Sequence, residues 1–274
     1  IKQVFQTLKG FGYSLYKTDF MLWGMVDSSK VKRYDGSRTS VEILRQFLSM
    51  VREVIGEDSC LLGSIAPFMP FIGYADAMRI AGDNGAQWSN KYGPVNLLQE
   101  MPFDNYFNHI FWQNDPDAIV LRDFESHLTK EETWSLVLLQ ALSGGVVTTS
   151  DPVMRLSEDR RRWLSFIRPR NKVHAEFPYL TRGAEEMVII HRLEDWNLVF
   201  AINPTEHPVK VFFELEELFG EKNWYLYRYA WDDGREVRSE KRKDFFDVLL
   251  PHDSVLLFVT EAPIGEKPLS LWNR

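Results

Sequence analysis

The segment Phe11-Gly12-Tyr13-Ser14-Leu15-Tyr16-Lys17-Thr18-Asp19-Phe20 is aromatic and apolar until it meets a cation and a carboxylate at its end. That is the pattern of a buried strand that delivers polar groups at its C-terminal end. Residues two apart on a strand share a face, so Lys17 and Asp19 are expected to point the same way. An ammonium beside a carboxylate favours the ionised form, which a nucleophilic carboxylate requires. An ordinary surface ion pair after a buried strand fits the segment equally well.

Working outward, strand and helix patterns alternate. Thr39-Ser40 reads as a helix cap. Val41, Leu44, Phe47, Leu48, Val51 and Ile55 follow at helical spacing, and Gly56 stops the helix. Ser59 to Ile65, Ala75 to Ile80, Ile110 to Trp112 and Val146 to Thr149 are apolar runs of strand length. Helices are expected over Lys130 to Ala141, before Gly144-Gly145, and over Ser157 to Ile167. Several runs end in polar residues: Asp19, Ser64, Asp83, Asn114 with Asp115, and Asp151. Such alternation predicts an α/β architecture with parallel strands. Polar strand ends are the mark of the catalytic face of a (β/α)8 barrel. A doubly wound sheet also places polar residues there, but no Gly-x-Gly-x-x-Gly turn follows any strand, which argues against a dinucleotide site.

The pattern changes near Pro169. Consecutive strands are expected at Met187 to His191, Leu198 to Ile202, Val209 to Phe213, Trp224 to Tyr229, Phe246 to Leu250 and Val255 to Val259. Asn203-Pro204 and Asp232-Asp233-Gly234 supply turns. This predicts an antiparallel β-sandwich over 170–274, after a barrel-derived region over 1–169. Only five strands precede Pro169, where a closed barrel needs eight. Either the sheet is open or three strands lie outside this sequence.

Bulk properties narrow the chemistry. The net charge is −7 with no basic stripe, so nucleic acid is not an expected partner. Arg160-Arg161-Arg162 reads as the solvated face of a helix. Cys60 is the only cysteine, which excludes an internal disulfide and a cysteine-based zinc site. Its apolar neighbours Leu61 and Leu62 make it a buried thiol rather than a nucleophile. No 18-residue apolar run or signal-like segment is present, so no membrane partner and a cytoplasmic location are expected, although the sequence begins at Ile1 rather than Met. Nine Trp residues suit either sugar stacking or a large core. The six His residues show no pairing with Ser or Cys, so no hydrolase triad is indicated.

The segment Asp76-Ala77-Met78-Arg79-Ile80-Ala81-Gly82-Asp83 adds a second strand-end carboxylate, 64 residues after Asp19. That is about two βα units of a barrel of roughly 250 residues. Two converging carboxylates are the minimum set for glycoside hydrolysis. A strand-loop boundary rich in Gly and Asp is the alternative.

Three motifs in order carry a resemblance. Lys17-Thr18-Asp19-Phe20 looks like the Lys-x-Asp-Phe motif of family 36 α-galactosidases (melibiases). Ala75 to Asp83 resembles that family's strand ending in its acid/base Asp. Phe111-Trp112-Gln113-Asn114-Asp115-Pro116-Asp117 resembles its Phe-Trp-x-Asn-Asp-Pro-Asp. The helix bearing Arg52 and the Gly56-Glu57-Asp58-Ser59 turn are also similar. The resemblance runs from about Gly10 to Leu121, and more faintly through the β region.

The resemblance implies a (β/α)8 barrel portion, about strands 4 to 8, followed by the β-sandwich. It implies a retaining enzyme with Asp19 as nucleophile and Asp83 as acid/base, the two needing opposite protonation states. Lys17 and Arg79 would bind sugar hydroxyls. Ser64 falls where the family loop contacts the sugar's 2-position; many relatives carry Cys there, which leaves galactose and N-acetylgalactosamine both open. Asp115 and Asp117 are candidates to bind sugar or orient the site, with a turn set by Pro116 as the alternative. Trp88 and Trp112 are candidates to stack on sugar, with core packing as the alternative. No metal or organic cofactor is implied. The implied partners are an α-galactoside oligosaccharide, the missing N-terminal barrel half and β domain in the same or a separate chain, and a further copy in a homo-oligomer. An α-N-acetylgalactosaminidase, a raffinose-synthase-like transglycosylase and a non-catalytic sugar-binding subunit are the rival readings.

Overall fold

A computed structural model of the 274-residue chain describes residues 1–88, 94–143, 145–167, 173–229 and 240–264. The compositional change near Pro169, with the 169/170 boundary, and the Asp232-Asp233-Gly234 turn lie outside the described residues. The chain divides into two compact units, 1–80 with 106–115 and 81–105 with 116–274.

The first unit contains helices α1 (Lys2–Gly10), α2 (Ser40–Ile55) and α3 (Phe68–Phe71). Its strands are β1 (Leu15–Thr18), β2 (Cys60–Gly63), β3 (Ala77–Arg79) and β4 (Gln113–Asp115). The strands form one sheet in the order β1-β2-β3-β4, and every pair is parallel. Sequential parallel strands need crossovers, and the long one between β1 and β2 contains α2. Thr39 caps α2: its hydroxyl accepts from Glu42 N at 3.2 Å, and Glu42 Oε2 accepts from Thr39 N at 2.8 Å. This reciprocal pair satisfies two amides that the first turn leaves open. Leu44, Leu48, Val51 and Ile55 lie on one face of α2. They bury against Tyr16, Leu61, Phe71, Met78, Phe107 and Trp112. Each fully buried aliphatic side chain contributes roughly 1.5–3 kcal/mol relative to exposure.

The strand expected at Ile110 to Trp112 is three residues later. Ile110 and Phe111 are exposed, and the polar residues Gln113, Asn114 and Asp115 pair with β3 instead. Buried polar residues hold a strand position only when their side chains find partners. Here Trp112 Nε1 donates to Asn114 Oδ1 at 3.1 Å, and Asn108 Oδ1 accepts from Asn114 N at 2.9 Å. Helix α1 was not expected. Its Phe5 and Leu8 pack on the α2 core, and their spacing is a short helical signal.

The second unit contains α4 (Pro94–Asp104), α5 (Lys130–Leu142), α6 (Glu158–Ile167) and α7 (Leu215–Phe219). Its strands are β5 (Met187–Arg192), β6 (Asn197–Ile202), β7 (Val209–Glu214), β8 (Trp224–Arg228), β9 (Glu240–Arg242), β10 (Asp244–Leu249) and β11 (Ser254–Thr260). Five strands form an antiparallel sheet in the order β5-β6-β11-β8-β9, and β10 pairs with β7 in a second sheet. Val188, Ile190, Val199 and Leu257 of the first sheet share a core with Val211, Phe213, Phe245 and Leu249 of the second. That is sandwich packing, with inward residues of two sheets interleaved.

Within this unit, α5 is buried from Thr133 to Leu142. The strand expected at Val146 to Thr149 is reduced to one parallel bridge, Ile119 to Thr149. Arg160 departs from the expected solvated face. It is buried with its guanidinium over the Trp163 ring, 4.3 Å from the centroid, and burial lowers its pKa.

Candidate active site

All four strands of the first unit run the same way, so their C-terminal ends share one edge. The register places Thr18, Gly63, Met78 and Asn114 in one row across the sheet. One residue further along are Asp19, Ser64, Arg79 and Asp115. Four sequence-predicted site residues therefore occupy one rim. Ser64 N donates to Thr18 O at 2.8 Å, and Ile80 N donates to Asp115 O at 3.1 Å, which carries the pairing to the rim.

Alternation along β1 buries Tyr16 and Thr18 and exposes Leu15 and Lys17. Asp19 continues the exposed series, so the shared face expected for Lys17 and Asp19 is present. Among the described residues no ion pair joins them. Asp19 Oδ1 accepts instead from Phe20 N at 2.8 Å, and Phe20 turns the chain at φ +57°. Ser64 is buried beside it. Arg79 and Asp115 are both buried, and Arg79 Nε donates to Asp115 Oδ2 at 3.2 Å. Asp115 thus neutralises a cation that the sheet buries.

Trp112 packs in the core. It is 4% exposed, among Phe68, Phe107 and Phe111. Its ring faces protein, which corrects the sugar-stacking expectation. Cys60 is half-buried, and burial together with the Asp76 carboxylate pushes its thiol pKa up, away from nucleophilic use.

The second unit holds Asp83, Trp88 and Asp117. Asp83 is exposed, four residues past Arg79 in the chain. Asp117 Oδ2 accepts from Asn84 N at 2.7 Å, and Asn84 Nδ2 donates to Pro116 O at 2.6 Å. Trp88 is half-buried and stacks on His252, with ring centroids 4.2 Å apart and planes at 14°. Asp151 accepts from Leu121 N at 2.5 Å and from Arg122 Nη1 at 2.9 Å. Asn84 and Gln140 were not singled out from sequence. The Asp83-Asn84-Gly85 run is a turn signal that marks the first; a buried helix glutamine gives no sequence signal. A cavity of about 270 Å3 lies among Val95, Leu98, Phe177, Tyr179, Met187 and Val188. It contains none of the predicted site residues.

No family model matches the sequence. Among solved structures, the chain is similar to the GH27 β-L-arabinopyranosidase of Geobacillus stearothermophilus. The TM-score is 0.71 at 18% identity, over 98% of this chain and 62% of that one. It is also similar to α-galactosidase I of Mortierella vinacea, with a TM-score of 0.73 at 10% identity, over 94% and 70%. The fold is that of the α-galactosidase-like glycosidases. In chain order, part of a (β/α)8 barrel precedes an antiparallel β domain. The α-galactosidase TtGalA of Thermus thermophilus, in complex with stachyose, is similar over less of this chain. Its TM-score is 0.52 at 22% identity, over 62% of this chain and 37% of that one. The chain spans less than two thirds of the arabinopyranosidase it matches.

Proposed function

We propose that this chain is part of a retaining glycoside hydrolase that releases terminal α-linked galactose from oligosaccharides. Residues 1–169 are its share of the barrel and 170–274 its β-sandwich. Asp19 attacks the anomeric carbon and forms a glycosyl ester as the leaving oxygen departs. Asp83 gives that oxygen its proton, then takes a proton from the water that attacks the same carbon and frees Asp19. Lys17 and Trp88 contact the sugar, and Ser64 stands next to Asp19 where the 2-substituent is read.

The single observation that carries this reading is the position of Asp19: an exposed carboxylate at the C-terminal end of a parallel strand, in a row with Ser64, Arg79 and Asp115. Active sites of parallel barrels lie at that end. Arg79 is paired with Asp115 in the structure, so its role here is to fix the rim. The likeness to α-galactosidase-like folds supports the substrate class.

The test is hydrolysis of an aryl α-galactoside by the complete enzyme and by its Asp19→Gly variant, with and without azide. The expected result is loss of turnover in the variant and rescue by azide to the β-galactosyl azide. Unchanged hydrolysis by Asp19→Gly overturns the reading. The isolated 274 residues are expected to be inactive. An N-acetylgalactosaminide assayed in parallel separates the two sugar specificities left open at Ser64.

A further inference from the structure

We propose that Asp117 is a positioning residue for the general acid, acting on Asp83 through the backbone of Asn84. This rests on the assignment of Asp83 as acid/base above.

The argument begins with the peptide plane. The amide nitrogen of Asn84 and the Cα of Asp83 belong to one planar unit. Fixing the direction of that N–H restricts the ψ rotation of Asp83, and with it the direction in which the Asp83 side chain leaves the backbone. The Asn84 N–H is fixed by a charge-assisted hydrogen bond to Asp117 Oδ2 at 2.7 Å. The Asn84 side chain donates to Pro116 O at 2.6 Å. Two bonds from one residue to one turn leave the Asp83–Asn84 peptide little rotational freedom.

The turn itself is braced. Asp117 has φ +76°, a conformation that a non-glycine residue keeps only where its surroundings over-determine it. Gln140, fully buried on α5, donates Nε2 to both Asp117 O and Ala118 O at 3.1 Å. The rest of the loop is held at alternate residues. His127 N donates to Ala86 O at 2.8 Å. Trp88 stacks on His252, whose Nδ1 lies 2.7 Å from Glu132 Oε1. The segment that follows Asp83 is therefore anchored at 84, 86 and 88. Asp117 is the anchor nearest the carboxyl that must move a proton. A displacement of about an ångström at such a group lowers its contribution by orders of magnitude.

The experiment uses the complete enzyme, with every polypeptide that belongs to it, and two substrates. A 2,4-dinitrophenyl α-galactoside departs without protonation, whereas an alkyl α-galactoside needs the acid. Asp83→Ala sets the reference and is expected to lose kcat/KM, which reports attack by Asp19 and not the later hydrolysis of the ester, selectively on the alkyl substrate. If Asp83→Ala fails equally on both, the acid/base assignment falls and this inference falls with it. Given the reference result, Asp117→Ala is expected to lower kcat/KM on the alkyl substrate by about tenfold or more and to leave kcat/KM for the dinitrophenyl substrate within about threefold. Equal losses on the two substrates overturn the positioning role while leaving Asp83 as the acid. Should Asp117→Ala not fold, Asp117→Asn keeps an acceptor oxygen and removes the charge. It is expected to show the same selectivity more weakly, with faster hydrogen exchange at the Asn84 amide. Unchanged exchange and unchanged selectivity overturn the proposal.

Discussion

Arg79 and Asp115 face each other on neighbouring parallel strands, paired in register, and Arg79 Nε donates to Asp115 Oδ2 across 3.2 Å with both side chains buried. The pair closes the β3–β4 end of the rim that carries Asp19. Removing one partner takes from the other, buried charge the opposite charge that faces it. Asp115→Ala is expected to lower stability by about 3–5 kcal/mol. The double variant Arg79→Met, Asp115→Leu is expected to recover much of that loss. Urea unfolding of the three proteins checks this. Independent, additive effects would show that the ion pair is not what holds the strand ends.

Gly63, the last residue of β2, precedes Ser64. A Cβ there would lie 2.8 Å from Phe71 Cε1 and 3.0 Å from Met78 Cε. Phe71 is fully buried, so it has little room to yield. Gly63→Ala is expected to cost about 1–3 kcal/mol by overpacking. Thermal unfolding measures it, and an unchanged midpoint would mean that the core around Phe71 is looser than described.

Thr39→Ala removes one half of the cap of α2. A loss of about 1 kcal/mol is expected. Thr39→Ser keeps the hydroxyl and is expected to unfold close to the parent. If Ser and Ala behave alike in urea titrations, the cap is not contributing.

Asp104, at the end of α4, has its pKa pushed up from 3.8 to about 6, first by burial and then by the Glu100 carboxylate. The folded state therefore binds this proton more tightly than the unfolded state does. Linkage then lowers stability as pH rises from about 4 to 6 and leaves the loss in place above 6. Asp104→Asn removes the ionisation. It is expected to match the parent at pH 4 and to be the more stable protein at pH 7. The opposite order at pH 7 would reverse the assigned sign.

Several of these features were legible in the sequence. Helix α2 was, because its Thr39 cap, its 3.6-residue apolar spacing and Gly56 all agree. The strands β5, β6, β7 and β11 were, because apolar runs bounded by turn residues leave little choice. Strand β4 was not. Gln113, Asn114 and Asp115 are polar, and what makes them strand residues is Arg79, Asn108 and Trp112 reaching them from other positions. Charge runs also mislead, since Arg160 lies over Trp163 while Arg161 and Arg162 are exposed. Asp19 was legible as a strand-end carboxylate. The row it forms with Ser64, Arg79 and Asp115 depends on register, and register is not written in any one segment.

The central claim is that Asp19 is the nucleophile of a retaining glycosidase. A 5-fluoro-α-galactosyl fluoride is an activated donor whose ring fluorine slows hydrolysis of the glycosyl ester, so the covalent intermediate accumulates. The measurement is mass-spectrometric peptide mapping of the complete enzyme after this reagent. The expected result is one fluorogalactosyl adduct, on Asp19. An adduct on Asp83 or on any other residue, or steady turnover of α-galactoside with no adduct at all, would contradict it.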